Sequence, residues 1–111
     1  MRQIVSQHLD GASAIISFVD GIPSMPPTAG NDALVKVLND ISLALDYGVV
    51  EAGNPGSRGA GDISYVAKYL DCLDGLGASG KGSHAPGEVI NLNEYPKLIK
   101  RTALMIYRLT R

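Results

Sequence analysis

The spacing of apolar residues predicts three amphipathic helices and a short helical stub. One helix is expected over residues 32–46, a second beginning at Asp62, and a third beginning at Asn91 or Asn93, with the stub over residues 2–9. The apolar positions that define the three helices are Leu34, Leu38, Ile41 and Leu45; Ile63, Val66, Ala67 and Leu70; and Leu98, Ile99, Ala103, Ile106 and Leu109.

Short runs of β-forming residues lie between these helices. Residues 12–19, 49–52 and 72–73 are predicted as strands. Helices that alternate with strands are typical of an α/β layer structure with parallel strands. Because so few short strands make a poor sheet, further strands are expected from a longer protein or from an oligomer.

A connector divides the chain into two unequal parts. Residues 22–30 contain three prolines, which disfavour both helix and central strand. The segment before it is too small to fold alone, so residues 1–21 are interpreted as the remnant of another domain and residues 22–111 as the main unit. Asn31 is expected to cap the first long helix, and Gly48 to end it.

Composition and charge exclude several classes of protein. The chain has 111 residues, 45% of them hydrophobic, with ten basic and eleven acidic side chains. Without a basic stripe, a nucleic-acid partner is not expected, and without an apolar run of about 18 residues neither is a membrane span. We expect a cytoplasmic protein, and the single cysteine, Cys72, suits a reducing compartment.

A glycine-rich run resembles a nucleotide-binding loop only superficially. Residues 75–82 nearly match the phosphate loop, but Gly82 occupies the position of the hydroxyl that binds magnesium. Pro86 follows closely and disfavours the helix that such a loop requires. Nucleotide binding is therefore not predicted.

Two loops carry candidate chemistry. His84 is flanked by glycines on a loop after a strand, where α/β sites are assembled, although a lone histidine is also compatible with a surface side chain. The amides of Gly59, Ala60 and Gly61, before the helix at Asp62, could bind a carboxylate, or could form a structural turn. Arg58 could pair with the same anion or face solvent.

Three segments together resemble a known family. Residues 57–67, 73–77 and 80–88, the last ending in His-Ala-Pro-Gly-Glu, are similar to the C-terminal motifs of co-catalytic zinc metallopeptidases. These enzymes are related to aminoacylase, glutamate carboxypeptidase and succinyl-diaminopimelate desuccinylase. The resemblance implies a partial three-layer α/β catalytic domain, with residues 1–21 as the end of a lid domain of the dimerisation type.

The same resemblance implies roles for particular residues. His84 would be a zinc ligand, and the loop of Arg58, Gly59, Ala60 and Gly61 would lie beside the carboxylate of a small peptide or N-acyl amino acid. In the whole enzyme, a zinc-bound water would attack the amide carbonyl.

Some motifs and residues of the family pattern are missing or replaced in this chain. The family's bridging aspartate and double-glutamate motif have no counterpart in it, and Lys81 and Gly87 replace common residues. We therefore expect the C-terminal part of an amide-hydrolysing zinc enzyme that contributes one zinc ligand and is inactive alone. The alternative is a non-catalytic binding or oligomerisation module with the same ancestry.

Overall fold

The computed structural model describes residues 1–57, 59 and 61–111. Within them, three α-helices, two short 3-10 turns and one pair of strands follow the chain. Their bounds are α1 Arg2–Val5, α2 Ala29–Ala44 and α3 Tyr95–Leu109; the 3-10 turns Pro55–Ser57 and Asp62–Tyr65; and β1 Gly80–Lys81 and β2 Val89–Ile90.

Helix α2 begins three residues earlier than the apolar pattern predicts. Its N-cap is Thr28, whose hydroxyl accepts a hydrogen bond from the Asn31 amide at 3.1 Å. The prediction that Asn31 caps this helix is therefore wrong, because its side chain is used elsewhere. After the helix ends, Gly48 has a φ of +84°, the left-handed conformation expected there.

Two asparagine side chains on α2 hold two irregular segments of the chain. The Asn31 side-chain oxygen accepts a hydrogen bond from the Cys72 amide at 2.7 Å. Eight residues further along α2, the Asn39 side-chain oxygen accepts one from the Val50 amide at 2.9 Å. Each asparagine satisfies a backbone donor, so these bonds fix both segments against the same helix.

The core lies where α2 packs against α3. Leu38, Ile41 and Met105 form it, and Ile41 is completely buried. Ser42 is also fully buried, and its hydroxyl lies 3.5 Å from the Arg101 guanidinium of α3. The prediction that Leu38 and Ile41 belong to the inner face of their helix is confirmed.

The inner face of α3 differs from the predicted one. Ile99, Ile106 and Leu109 were expected to face inward, but each is more than half exposed, whereas Met105 is buried. The α3 residues in the core region are Met105 and, packed against the core, Leu104. The sequence of α3 therefore has two apolar faces, and α2 covers only one of them.

The predicted strands and the helix at Asp62 also differ from the structure. Residues 12–19, 49–52 and 72–73 are irregular in the structure, and the helix at Asp62 is a single 3-10 turn. Strands β1 and β2 pair antiparallel, with Gly80 opposite Ile90, whereas parallel strands were expected. A strand forms only where a neighbouring strand pairs with it, and within the described residues the three predicted segments have no such strand. The Val50 and Cys72 amides donate to asparagine side chains instead. The α/β class and the boundary near residue 21 stay predictions.

The chain is more extended than a domain of its length. Its radius of gyration is 19.9 Å, where about 13 Å is typical of a compact domain of this length. Its accessible surface is 8975 Å², against about 5,900 Å² expected for a folded monomer of this mass. The difference, about 3,000 Å², is surface that a compact fold would cover.

Truncation of Ile41 tests whether the contact between α2 and α3 holds the fold. Ile41→Ala is expected to lower the free energy of unfolding by about 2–5 kcal/mol, because it removes buried methyl groups and leaves a cavity. Urea titration followed by circular dichroism would measure this loss.

Leu43→Ala is the matched control on the same helix, since Leu43 is half exposed. It should change the free energy of unfolding by less than about 1 kcal/mol. Equal losses for the two variants would contradict the assignment of the core.

Candidate functional site

His84 lies in the loop that joins β1 to β2. The loop is closed by hydrogen bonds from the Ala85 amide to the Gly82 carbonyl at 3.0 Å and from the Glu88 amide to the Ala85 carbonyl at 3.1 Å. The sequence predicted that His84 follows a strand on a glycine-rich loop. The predicted strand was residues 72–73, which are irregular in the structure, and His84 instead lies after β1, beyond Gly82 and Ser83, in an antiparallel hairpin.

The backbone of His84 adopts an uncommon conformation. Its φ is +62°, in the left-handed region that costs a non-glycine residue about 1–2 kcal/mol. Its amide lies 3.4 Å from a carboxylate oxygen of Glu88, to which it donates a hydrogen bond. Gly82 and Gly87 also have positive φ values, so the loop turns sharply on either side of the histidine.

The hairpin stands clear of the helices. Every residue from 77 to 93 is exposed, His84 among them. Among the described residues, no group of three or more histidine, cysteine, aspartate or glutamate side chains could hold a metal ion. The described residues thus fit the contribution of a single imidazole and do not fit a complete zinc site.

A separate cleft of about 700 Å³ lies between α2 and the irregular segments. Gly59 and Gly61 line it, together with Asn31, Asp74 and Arg101, whereas His84 does not. The structure therefore brings part of the predicted carboxylate-binding loop to a cleft, but it does not bring that loop and His84 to one site.

The amide of Gly61 is already used within its own turn. It donates to the Ser64 hydroxyl at 3.5 Å, and the Asp74 carboxylate lies close to Gly61 on the cleft side. Of the other residues predicted for this loop, Arg58 and Ala60 lie outside the described residues. The role of the loop toward a substrate carboxylate stays a prediction.

Arg101 is a further cleft residue, and the sequence did not predict its position there. It is partly buried beside Ser42 and reaches the cleft from α3. It lies four residues before Met105, so the two side chains share one side of the helix. This spacing is the sequence feature that could have placed Arg101 on the packed side. The competing apolar set on the other face of α3 obscured it.

Cys72 and the glycine run provide no further chemistry. Cys72 is buried, and its thiol donates to the Leu70 carbonyl at 3.4 Å. The run that resembles a phosphate loop leads into β1 rather than a helix. None of the described helices has the length and apolar character needed to cross a bilayer.

The comparison with protein families identifies the class. The model of peptidase family M20/M25/M40 matches residues 14–108, which is most of the chain. The chain therefore belongs to this family, whose members are generally zinc-dependent hydrolases. No curated protein and no solved structure matches the chain.

A single added methyl group tests the hairpin that carries His84. In Gly80→Ala, the new Cβ would overlap the Val89 carbonyl oxygen on the opposite strand. Because this neighbour is backbone, the strands must separate, so cross-strand nuclear Overhauser contacts between Lys81 and Val89 should disappear.

Gly77→Ala serves as the control, because its Cβ would meet nothing within 4 Å. Its cross-strand contacts should match those of the unmodified chain. Retained pairing in Gly80→Ala would show that the hairpin is wrongly described.

Proposed function

We propose that this chain is the C-terminal part of a zinc-dependent hydrolase that cleaves the amide bond of a small peptide or N-acyl amino acid. The observation that carries the proposal is the family match over residues 14–108. The match includes the hairpin with His84 and the loop with Gly59 and Gly61.

In this proposal His84 supplies one zinc ligand. Its imidazole is exposed at the end of a hairpin, where a second body of protein can approach it. Its left-handed backbone supports a functional role, because such conformations cluster at functional sites. The remaining ligands and the general base come from outside the described residues.

The loop that includes Gly59 and Gly61 would lie beside the substrate carboxylate in the whole enzyme, with Arg58 and Ala60 in the same loop. Asp74 lies on the same side as Gly61 and would repel that carboxylate. In this proposal the positive charge of Arg58 offsets this repulsion.

Zinc titration of the chain tests the role of His84. We expect at most one weakly bound zinc ion, with an affinity at least about a thousandfold below that of a complete four-ligand site. The His84 ring resonances should shift in nuclear magnetic resonance spectra, the His8 ring should not, and no N-acyl amino acid should be hydrolysed.

His84→Ala should abolish this zinc response, whereas the matched variant His8→Ala should preserve it. Equal shifts at both rings would contradict a specific ligand role for His84. Two tightly bound zinc ions with turnover by the chain alone would contradict the proposal that it is only part of an enzyme.

A second candidate function is a non-catalytic oligomerisation module. The exposed second face of α3, with Ile99, Ile106 and Leu109, is the observation that favours it. Large apolar faces of this kind mark contacts with other proteins.

Light scattering separates the two candidates. A module would give a monodisperse dimer that persists in His84→Ala and dissociates in Ile106→Glu. Lys100→Glu, which changes an exposed polar position on α3, should leave that dimer intact. For the proposed enzyme fragment we expect a monomer or polydisperse aggregates rather than a dimer, because the same faces then lack their cover.

A further inference from the structure

Arg101 is a partly buried cation on α3 whose guanidinium is incompletely hydrogen-bonded. Its Nε is buried and has no hydrogen-bond partner there. Its Nη1 donates to the Ser42 hydroxyl at 3.5 Å. A guanidinium has five N–H donors, and a buried donor without an acceptor is costly.

No carboxylate of the described residues pairs with Arg101. The ion pair in the described residues joins Lys97 to Glu94, both on the surface at the start of α3. Arg101 nevertheless lines the 700 Å³ cleft, which is open to the outside. Since a carboxylate binds a guanidinium through two parallel hydrogen bonds, it is the acceptor that best fits Arg101. The Asp74 carboxylate also lines the cleft but forms no ion pair with Arg101, so it weakens the binding of an entering carboxylate without occupying the guanidinium.

The cleft walls also offer backbone groups. Glu51, Ala52 and Leu73 line the cleft, and among the described residues their backbone N–H and C=O groups form no hydrogen bonds. Another polypeptide backbone that enters the cleft can pair with such groups, as in the addition of a strand to a sheet edge. A free carboxylate ion would leave them without partners.

The extent of uncovered surface favours a polypeptide over a small molecule. The accessible surface of 8975 Å² exceeds the value for a compact monomer by about 3,000 Å². Stable protein interfaces bury about 1,200–2,000 Å² in total, and obligate ones more. The apolar residues Val35, Leu38 and Leu76 line the same cleft, so a bound segment would cover apolar surface as well.

We propose that this cleft binds an extended polypeptide segment that carries an aspartate or glutamate, and that Arg101 pairs with its carboxylate. Backbone groups of Glu51, Ala52 and Leu73 hydrogen-bond to the segment on either side of that pair. Neither zinc nor His84 takes part in this binding, so its failure would leave the proposed role of His84 intact.

Labelled peptides test the proposal in fluorescence anisotropy with the full chain. The probe is a nine-residue peptide of alternating threonine and valine with a central aspartate, and its partner carries asparagine instead. We expect the aspartate peptide to bind at least about tenfold more tightly, which corresponds to about 1.4 kcal/mol. In Arg101→Met the preference should fall below about twofold, as the charged pair is lost.

Arg108→Met is the matched control, because Arg108 lies exposed on the same helix. It should keep the full preference for aspartate. If Arg101→Met does not fold, as judged by circular dichroism, Arg101→Lys replaces it. Lysine keeps the charge without the paired donors, so the preference should fall severalfold.

Three outcomes of the peptide measurements would overturn the proposal. They are no binding of either peptide, equal affinity for aspartate and asparagine peptides, and a preference that survives loss of the Arg101 guanidinium. Glutarate is the competitor in a further arm. If glutarate alone binds as tightly as the aspartate peptide and with the same dependence on Arg101, the cleft is a small-molecule site, and the polypeptide proposal is wrong.

Discussion

The arrangement of the chain depends on helix α2, which has three different partners. Its apolar side packs Leu38 and Ile41 against Met105 of α3 and provides the core. Its asparagines, Asn31 and Asn39, accept hydrogen bonds from two segments that have no regular structure. Because those amide donors would otherwise be unpaired, the two side chains position the cleft walls more directly than any strand does.

The apolar pattern predicted α2 well, since Leu38 and Ile41 have a single consistent face. It failed on α3, where Met105 and Ile106 belong to different apolar faces, and only the position of α2 decides which is buried. The strands could not be predicted either, because strand formation depends on a neighbour. A sequence shows the tendency of a segment such as residues 49–52, but not the presence of that neighbour.

The candidate site, like the fold, was predictable from the sequence only in part. The motif that contains His84 is local, so its sequence was enough to indicate the family that the comparison then showed. Arg101 and Asn31 act across distances of 59 and 41 residues along the chain, to Ser42 and Cys72. No local pattern reports such pairings. The partners of these two side chains were therefore found only from the three-dimensional arrangement.

The exposure of the hairpin affects how the chain unfolds on heating. Since residues 77–93 are all exposed, β1 and β2 are held mainly by their own few hydrogen bonds. Opening of the hairpin is then a local event with its own small free energy, separate from melting of the α2–α3 pair. The part of the chain with His84 can thus change shape while the helical part stays intact, and the two regions would lose order at different temperatures.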